Sequence, residues 1–455
     1  MIRLIDRVGE MDVLEKDWRT SENAFIAVFG RRRIGKTRLL EEFLKEKEGI
    51  KYTGEDASKK IQISEFRKAI GSYLKDDFLI TQEIDSWSAL FSYLAKVLPK
   101  DKRFYIWVDE FSYWVKSDKT LTSVLQKFCD FIRSTKIVFI VSGSLFGLMS
   151  EEVLSSSSPL YGRRTRDILL KPLQFRYVSE FLPFDFEDAL KTAFTVGGVP
   201  EYLLVASKKK SYDEFISDEF FKTEGYFYRE PYYLLSQEFK EIRIYFSILN
   251  AIAYGNTKPT EIANFVGIKG REIYPYLELL INYGFVNREA SFQDSKRGTY
   301  RIADNFFDFW FNLVHRNREM IERGTYKPDK QEFNSYFGKR FEALLRDNAG
   351  VFFSGYEKTG RWWHADKEID IVAIKEKEKE MAFGECKWED GVNALQIAKE
   401  LNEKTKFVEW FKDTRKESFA VFARTFSKRI NEFEGKKVSC YDLDDIKRIM
   451  LREKK

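Results

Sequence analysis

Residues 24–40 read AFIAVFGRRRIGKTRLL, and this stretch decides the fold of the N-terminal part of the chain. An apolar run of strand character leads into residues 30–37, which fit the pattern G-x-x-x-x-G-K-[ST], and a helical pattern follows. Glycines let the backbone wrap a phosphate, while successive N–H groups and the helix N-terminus attract its charge. The pattern therefore predicts a nucleotide-binding loop, with a basic turn before a helix as the alternative.

The two residues after the second glycine carry the predicted chemistry of this loop. Lys36 is predicted to reach the β- and γ-phosphates of ATP, and the Thr37 hydroxyl is predicted to hold Mg²⁺. The predicted nucleotide-binding residues here are Gly30, Arg31, Arg32, Arg33, Ile34, Gly35, Lys36, Thr37 and Arg38.

A second apolar run, FYIWVDEF at 104–111, places Asp109 and Glu110 at the predicted carboxyl end of a strand. Ligands of open α/β sheets bind at that edge. Asp109 fits the carboxylate that holds Mg²⁺, and Glu110 fits the base that orients the attacking water. The run IVFIVSGS predicts a further strand, where Ser142 and Ser144 suit sensing of the γ-phosphate or a plain turn into a loop.

Composition indicates an ordered globular chain. Its 455 residues suffice for about three domains, and the chain has 44% hydrophobic residues, 33% charged residues and 9 prolines. The three cysteines have no disulfide or zinc spacing, which indicates a cytoplasmic protein. No signal peptide is recognisable, and the longest apolar run is too short to span a membrane. The net charge of +5 is weak evidence for nucleic acid.

Several segments together resemble the archaeal ATPase family, a branch of the STAND class of P-loop ATPases related to the AAA+ proteins. They are LIDRVGEMDVLE, FGRRRIGKT, IWVDEF, VSGS, SPLYGRRT and GGVPEYL, all in the first half of the chain. The resemblance implies that Arg7 lies beside the nucleotide base and that Gly198, Val199 and Pro200 of a helical lid lie near the nucleotide. Arg163 and Arg164 fit either a trans-acting arginine or ordinary surface ion pairs.

Residues 241–304 predict three helices and a two-stranded hairpin, an order that resembles a winged helix-turn-helix. If this segment binds DNA, the third helix would present Lys269 and Arg271, and the wing would present Arg288, Lys296 and Arg297 to phosphates. Winged helices also serve as protein-contact modules, so both interpretations stay open.

The stretch FGECKWEDG at 383–391 closes an apolar strand on Glu385 and Lys387, which project from the same face because their spacing is two. The strand EIDIVAI would bring Asp370 beside Glu385, and a preceding helix offers Glu342. This ordered set resembles the PD-(D/E)XK nuclease fold, in which carboxylates bind Mg²⁺ and the lysine acts on the attacking water. Glu368 is a further acidic candidate, and charged strand ends without function are the alternative.

The resemblance extends to a DUF234-type C-terminal domain that is fused to archaeal ATPases and assigned to this nuclease superfamily. The helical spacing of the aromatic stretch NFFDFWFNLVHRN at 305–317 predicts core packing or a domain interface more than base stacking. His315 and His364 are isolated in the sequence, and neither is assigned to a metal.

The predicted fold is a multidomain α/β chain. It comprises a P-loop ASCE ATPase domain (1–165), a helical lid (166–235), a winged helix-turn-helix (236–304), a helical linker (305–335) and a restriction-endonuclease-like α/β domain (336–455). The predicted function is ATP hydrolysis with Mg²⁺ that controls an action on DNA, including endonuclease cleavage. Two alternatives are a regulatory switch that binds partners or DNA without cutting and a DNA-translocating motor. Expected partners are ATP or ADP, DNA and further copies of the chain as a homo-oligomer, with no membrane.

Overall fold

The structure is a computed structural model that describes residues 4–20, 22–144, 153–292 and 294–451; the side chains of residues 295–297 lie outside the description. It divides into two compact units. The first comprises Met1–Leu173 with Val199–Tyr202, and the second comprises Gln174–Gly198 with Leu203–Lys455. No helix in the described ranges is long and apolar enough to cross a lipid bilayer.

The first unit alternates strands with helices, as the pattern of apolar runs predicts. Its strands are β1 (Ala24–Phe29), β2 (Gly49–Thr53), β3 (Phe104–Asp109), β4 (Ile137–Gly143) and β5 (Arg166–Leu169). Its helices are α1 (Val8–Arg19), α2 (Lys36–Leu44), α3 (Lys59–Leu74), α4 (Asp77–Thr81), α5 (Trp87–Val97), α6 (Ser112–Ser117) and α7 (Leu121–Ile132).

The five strands form one parallel sheet in the order β2-β3-β4-β1-β5. Every residue of β1 and of β4 is buried, since a parallel sheet is covered on both faces, and this explains their nearly unbroken apolar sequences. The predicted parallel α/β sheet is therefore confirmed. Because the strands are parallel, the residues that follow β1, β3 and β4 meet at one edge, and the candidate nucleotide site lies there.

The second unit contains more helices than strands. Its helices include α8 (Phe175–Phe181), α9 (Phe186–Val196), α11 (Tyr212–Glu219), α12 (Glu230–Glu238), α13 (Ile242–Ala253), α14 (Pro259–Val266), α15 (Ile273–Asn282), α16 (Asn305–Phe309), a π-helix (Trp310–His315), α17 (Arg318–Glu322), α18 (Lys330–Asp347), α19 (Ala349–Phe352), α20 (Ala394–Thr405) and α21 (Leu443–Met450). Helix α10 (Pro200–Ala206) begins among the first unit's residues and ends among those of the second.

The strands of the second unit form a hairpin, a six-stranded sheet and a short two-stranded pair. They are β6 (Val286–Ser291), β7 (Asp294–Ile302), β8 (Lys358–His364), β9 (Lys367–Lys375), β10 (Glu380–Lys387), β11 (Val392–Asn393), β12 (Lys416–Ala423), β13 (Phe426–Lys428), β14 (Glu432–Phe433) and β15 (Lys436–Tyr441). The sheet order is β14-β15-β12-β10-β9-β8. Strand β10 pairs antiparallel with β9 and parallel with β12, and α20 packs its apolar side on this sheet.

The hairpin β6–β7 follows the three helices α13, α14 and α15, and its tip contacts β8. The Phe292 amide donates to the Arg361 carbonyl at 2.8 Å, and the Ser291 hydroxyl donates to the Trp363 carbonyl at 3.0 Å. The Glu289 carboxylate of the same hairpin lies 3.3 Å from the guanidinium of Arg346 in α18. Hydrogen bonds therefore join the hairpin to the sheet, and an ion pair joins it to α18.

Helix α9 packs against the same sheet within the second unit. The hydroxyl of Tyr336 donates to the Phe194 carbonyl at 3.0 Å, and the Phe194 ring lies edge-on to Trp388 with centroids 5.7 Å apart. Arg424 donates to both carboxylate oxygens of Glu187 at 3.0 Å. Trp388 directly follows β10, so α9 packs beside the end of that strand.

Candidate functional site

The loop between β1 and α2 wraps around the Lys36 side chain. The Lys36 ammonium donates to the carbonyls of Gly30 at 2.8 Å and Arg31 at 3.0 Å, and the residue is 6% exposed. Gly30 and Gly35 have φ of +147° and +91°, a region that disfavours side chains. A Cβ on Gly30 would also lie 2.6 Å from the Leu170 carbonyl oxygen, so glycine is required here.

Asp109 is buried at the end of β3 and accepts hydrogen bonds from two hydroxyl groups. Its Oδ2 accepts from the Thr37 hydroxyl at 3.0 Å, and its Oδ1 accepts from the Ser142 hydroxyl at 2.6 Å. The Trp107 indole donates to the Ser142 oxygen at 2.8 Å, which orients that hydroxyl toward Asp109. The structure therefore brings Thr37 and Asp109 together, as the sequence predicts. Ser142 is fully buried and supports Asp109.

Glu110 follows Asp109 in a left-handed backbone conformation, with φ of +48°. For a residue other than glycine such a conformation is uncommon, and it recurs at functional sites. The Ser144 hydroxyl donates to the Glu110 carboxylate, with oxygen distances of 2.8 and 3.1 Å. The two predicted residues therefore form one pair, in which Ser144 orients the carboxylate of Glu110.

Arg7 lies under the loop and is 5% exposed. Its guanidinium donates to the carbonyls of Ile34 at 3.2 Å and Lys171 at 2.7 Å, and it pairs with Glu10 at 3.0 Å. The predicted contact with the nucleotide base stays a prediction, because these bonds equally explain Arg7 as a support of the loop.

The other basic residues of the loop contact side chains around it. Arg32 donates to the Tyr113 hydroxyl at 3.1 Å; Tyr113 was not predicted, and its position in α6, shortly after Asp109, is the signal that could have found it. Arg33 lies 3.4 Å from the Glu201 carboxylate, and its guanidinium carbon lies 5.7 Å from the Tyr202 ring centroid. The segment that starts α10 therefore lies beside the loop.

Pro200 and Arg38 complete the set of predicted nucleotide contacts. A Cβ on Gly35 would lie 3.9 Å from the Pro200 ring, so Pro200 borders the loop. Arg38 pairs with Glu42 one helical turn away at 3.0 Å. Arg163 pairs with Asp130 at 2.7 Å, which is the contact of an ordinary ion pair.

Arg164 makes contacts of the same kind. It lies 2.5 Å from the Asp167 carboxylate and donates to the Leu154 carbonyl at 3.1 Å. Both alternatives for this arginine and its neighbour therefore remain open.

The second group of predicted residues converges at the ends of β9 and β10. Asp370 and Glu385 are 4% and 5% exposed. The Asp370 carboxylate accepts from the Cys386 amide at 2.8 Å, and the Lys387 ammonium lies 2.9 Å from Glu385. Glu385 and Lys387 therefore share one face, and Asp370 lies at the peptide between them.

The pKa values of the carboxyl groups show that they share one electrostatic environment. Burial, followed by repulsion from Asp370 and Glu368, raises the pKa of Glu342 to about 8. Burial and the neighbouring Glu385 raise the pKa of Asp370 to about 6. Burial alone would lower the pKa of the Lys387 ammonium, but attraction to Glu385 raises it above the ordinary value. The structure therefore places Glu342 with the two strand carboxylates.

Lys404 of α20 is a residue of this site that the sequence did not predict. Its ammonium contacts both Glu385 oxygens, at 2.9 and 3.0 Å. Nothing in the local pattern distinguishes Lys404 from Lys399 on the same helix or from Lys406 just after it, so only the packing of α20 on the sheet reveals it. Glu385 is therefore bound by two ammonium groups.

The remaining acidic candidate, Glu368, pairs with Arg361 and is half exposed. In the described ranges, no cluster of three or more His, Cys, Asp or Glu side chains has the geometry of a metal site. The predicted ligand pair of Asp370 and Glu385 stays a prediction.

The comparisons with known proteins agree with this architecture. A family model described as an ATPase domain predominantly from Archaea matches residues 4–203. A second model, DUF234, described as archaeal and bacterial proteins of unknown function, matches residues 310–405. A protein of Methanocaldococcus jannaschii, MJECL04, is 31% identical over 97% of this chain and 99% of its own length. A shorter ATP-binding protein of that organism, MJ0423, is 36% identical over 10% of this chain and 80% of its own.

A solved structure with a similar fold is the Walker-type ATPase PABY2304 of Pyrococcus abyssi. It has a TM-score of 0.52 and 20% sequence identity, and the match covers 68% of this chain and 96% of that protein. The chain therefore belongs to the archaeal ATPase family, with a parallel-sheet P-loop core and a DUF234 C-terminal domain. It is an ATPase of that family, and the assignment of residues 30–38 as its nucleotide-binding loop stays a prediction.

The nucleotide site predicts two separable defects. Lys36→Ala should abolish tight ATP binding, because the phosphates lose the ammonium that the loop surrounds, whereas Glu110→Gln should keep ATP binding and lose hydrolysis. Calorimetric titration with ATP and measurement of phosphate release check both. Arg19→Ala, a change on α1, is the control. Hydrolysis at the wild-type rate by Lys36→Ala would contradict the assignment.

The raised pKa of Glu342 predicts a pH-dependent cost of folding. The unfolded chain loses this proton near pH 4.5 and the folded chain near pH 8, so the second unit should lose stability as pH rises between these values. In metal-free buffer, Glu342→Gln should raise the free energy of unfolding at pH 8 by at least ~1 kcal/mol, since each pKa unit corresponds to about 1.4 kcal/mol.

At pH 4 the same substitution should change stability little. Denaturant unfolding of the wild type and the variant at pH 4 and pH 8 gives the change in the free energy of unfolding at each pH. Glu403→Gln, at an exposed carboxylate, is the matched control. A Glu342→Gln stability difference that stays constant from pH 4 to pH 8 would rule out the raised pKa.

Proposed function

We propose that this chain is a Mg²⁺-dependent ATPase whose nucleotide state controls an endonuclease acting on DNA, and that the DUF234 domain carries the nuclease. The observation that carries the proposal is the convergence of Asp370, Glu385 and Lys387 on neighbouring strand ends of an ATPase chain. The proposed boundaries follow the sequence-based ones of 236–304 for the winged helix, 305–335 for the linker and 336–455 for the nuclease-like domain. The end of the ATPase domain moves from residue 165 to about residue 173, because β5 pairs with β1 in its sheet, and the lid then follows up to residue 235.

In the first unit, the described residues fit a Mg²⁺ ion. The Thr37 hydroxyl and the Asp109 carboxylate are hard oxygen donors 3.0 Å apart, which suits this ion. Bound Mg²⁺ would neutralise charge on the β- and γ-phosphates. Lys36 binds the phosphates, Asp109 is held in place by Ser142, and Glu110, oriented by Ser144, accepts a proton from the attacking water.

In the second unit, a divalent metal fits the two strand carboxylates. Burial of Asp370 next to Glu385 raises the pKa of Asp370, and a cation between the two groups would relieve their repulsion. A bound Mg²⁺ or Mn²⁺ would supply an activated water for phosphodiester hydrolysis. The Lys387 ammonium, on the same face as Glu385, positions that water and stabilises the charge that develops on the phosphate.

One observation favours the alternative function, a switch that does not cut. Lys387 and Lys404 together occupy both oxygens of Glu385, which competes with a metal for those oxygens. Under this alternative, the second unit binds partners or DNA in response to nucleotide, and the charged cluster has a structural role.

The helix and hairpin segment supports contact with DNA through the turn before α15 rather than through the wing, and the third helix begins later than the sequence predicted, at Ile273. Lys269 and Arg271 precede α15 and are exposed. Arg288 lies against Gly298 of the facing strand, where a Cβ would come within 2.7 Å of its guanidinium. The hairpin tip meets β8, which suits the protein-contact interpretation of the wing. The side chains of Lys296 and Arg297 lie outside the described residues.

The nuclease proposal predicts a loss of DNA cleavage that spares ATP hydrolysis. Asp370→Asn preserves the shape of the side chain and an acceptor for the Cys386 amide, yet it should reduce cleavage with Mg²⁺ or Mn²⁺ by at least ~100-fold. Lys387→Met should reduce cleavage while leaving Mn²⁺ binding largely intact, because the lysine is not a ligand.

Supercoiled plasmid and single-stranded circles, with and without ATP, are suitable substrates, and calorimetry measures Mn²⁺ binding. Lys399→Met on α20 is the control for Lys387→Met. If the wild-type protein binds DNA but cuts none of these substrates under any metal condition, the switch is the better account.

The DNA proposal predicts a salt-dependent affinity. If Lys269 and Arg271 neutralise phosphates, Lys269→Gln with Arg271→Gln should reduce the slope of log affinity against log salt by up to about 1.8, at roughly 0.9 per contact. Fluorescence anisotropy with a labelled duplex measures the slope. Lys208→Gln with Lys210→Gln, a pair in the α10–α11 turn, is the matched control. An unchanged slope would place the DNA contact elsewhere.

A further inference from the structure

A cavity with aromatic walls lies in the second unit, and its residues are far in sequence from those of both candidate sites. It has a volume of about 270 Å³ and lies among α12, the π-helix and α17. Trp310 is 2% exposed, and its indole donates to the Tyr228 carbonyl at 3.0 Å, which fixes the plane of the ring. Tyr232 and Tyr233 are 40% and 57% exposed and line the opening. Trp310 therefore forms a buried and ordered wall, and the two tyrosine rings are accessible.

The π-helix places a histidine in this wall. The His315 ring stacks on Trp310 with centroids 5.2 Å apart and planes at 17°. π-Helical turns are rare and recur at functional sites. Burial and the nearby Arg318 lower the pKa of His315 to about 4, so the imidazole is neutral at pH 7 and carries one donor and one acceptor. Within the described ranges, its buried Nδ1 has no hydrogen-bond partner, so this nitrogen is an unsatisfied polar atom in the wall of the cavity.

Charged groups of both signs line the same cavity. Arg229 and Arg318 are exposed guanidinium groups that suit a phosphate. Glu322 accepts from the Tyr228 hydroxyl at 2.9 Å through one oxygen, and its second oxygen is an acceptor for an amino group. Aromatic faces, a neutral imidazole, a carboxylate and two cations therefore surround one small space.

We propose that this cavity binds one unpaired nucleotide, with its base stacked on the aromatic rings and its phosphate on Arg229 and Arg318. Every base has a face that stacks on tyrosine or tryptophan, so the site should accept any of the bases. The guanidinium groups disfavour a cationic ligand, and the small volume excludes a folded segment of protein. The nucleotide comes either from a single strand or from the free pool. This inference does not depend on the nuclease, because the cavity contains none of the metal-site residues.

Titrations of the full chain in EDTA, which prevents cleavage, test the proposal. A single-stranded oligonucleotide with 2-aminopurine at its centre reports stacking through quenching of its fluorescence. Tyr232→Ala and Tyr233→Ala should each weaken binding by roughly 5- to 100-fold and reduce the quenching. Tyr232→Phe keeps the ring and should keep the affinity, which separates stacking from a folding defect. Tyr73→Ala, at a tyrosine of similar exposure packed on Phe104, should change nothing.

A second arm distinguishes the two sources of nucleotide. In a Lys36→Ala background, which removes binding at the phosphate loop, thymidine monophosphate is titrated by calorimetry. If only the oligonucleotide binds and Tyr232→Ala weakens that binding, the natural ligand is a single strand. If only the monophosphate binds and Tyr232→Ala weakens that binding, the natural ligand is a free nucleotide. Arg229→Gln with Arg318→Gln should reduce the salt slope for the oligonucleotide by up to about 1.4.

The proposal is overturned if neither probe binds, or if both bind equally well to the wild type and to Tyr232→Ala and Tyr233→Ala. ATP hydrolysis and duplex cleavage are measured on the same variants. Tyrosine variants that lose single-strand binding but keep ATP hydrolysis and duplex cleavage support the cavity as a separate binding site. If no protein cleaves DNA, the wild type included, that result bears on the nuclease proposal and not on the cavity.

Discussion

A carboxylate buried at the end of a strand is costly unless hydrogen-bond donors surround it, and this constraint shapes both candidate sites. In the first unit, the hydroxyl groups of Thr37 and Ser142 satisfy Asp109, and Trp107 in turn orients Ser142. One carboxylate thus joins the phosphate loop, β3 and β4. Because Thr37 lies at the start of α2, the same bonds fix the helix N-terminus that faces the phosphates.

The second unit satisfies the constraint in a different way. Asp370 accepts from the backbone amide of Cys386, whereas Glu385 is neutralised by Lys387 and Lys404. For Glu342, burial and repulsion from Asp370 and Glu368 outweigh the attraction of Arg346, and its pKa rises to about 8. The site therefore contains one carboxylate held by the backbone, one paired with cations and one that favours its proton. A cluster of this kind responds to an added cation more strongly than a set of solvated carboxylates would.

Much of the arrangement of the two candidate sites was predictable from the sequence because it depends on local patterns. The glycines and lysine of the phosphate loop have a fixed spacing, and the strand character of FYIWVDEF places Asp109 and Glu110 at a strand end. The period of two in β10 predicts that Glu385 and Lys387 share a face, and the structure confirms that they do. The aromatic stretch at 305–317 was predicted as core, and Phe306, Phe307 and Phe309 are fully buried. Trp310 and Val314 of the π-helix are buried as well, and together with His315 they line the aromatic cavity.

The sequence by itself determined the class of the protein, the phosphate loop and the order of charged residues along each strand, since these follow from spacing along the chain. Only the tertiary structure decided which distant residues complete each site. Lys404 reaches Glu385 because α20 packs across the sheet, and Tyr113 reaches Arg32 because α6, which follows β3, lies beside the loop. The contact of the hairpin tip with β8 is also non-local. Such contacts depend on how the elements pack, and residue spacing carries no information about packing between elements far apart in the chain.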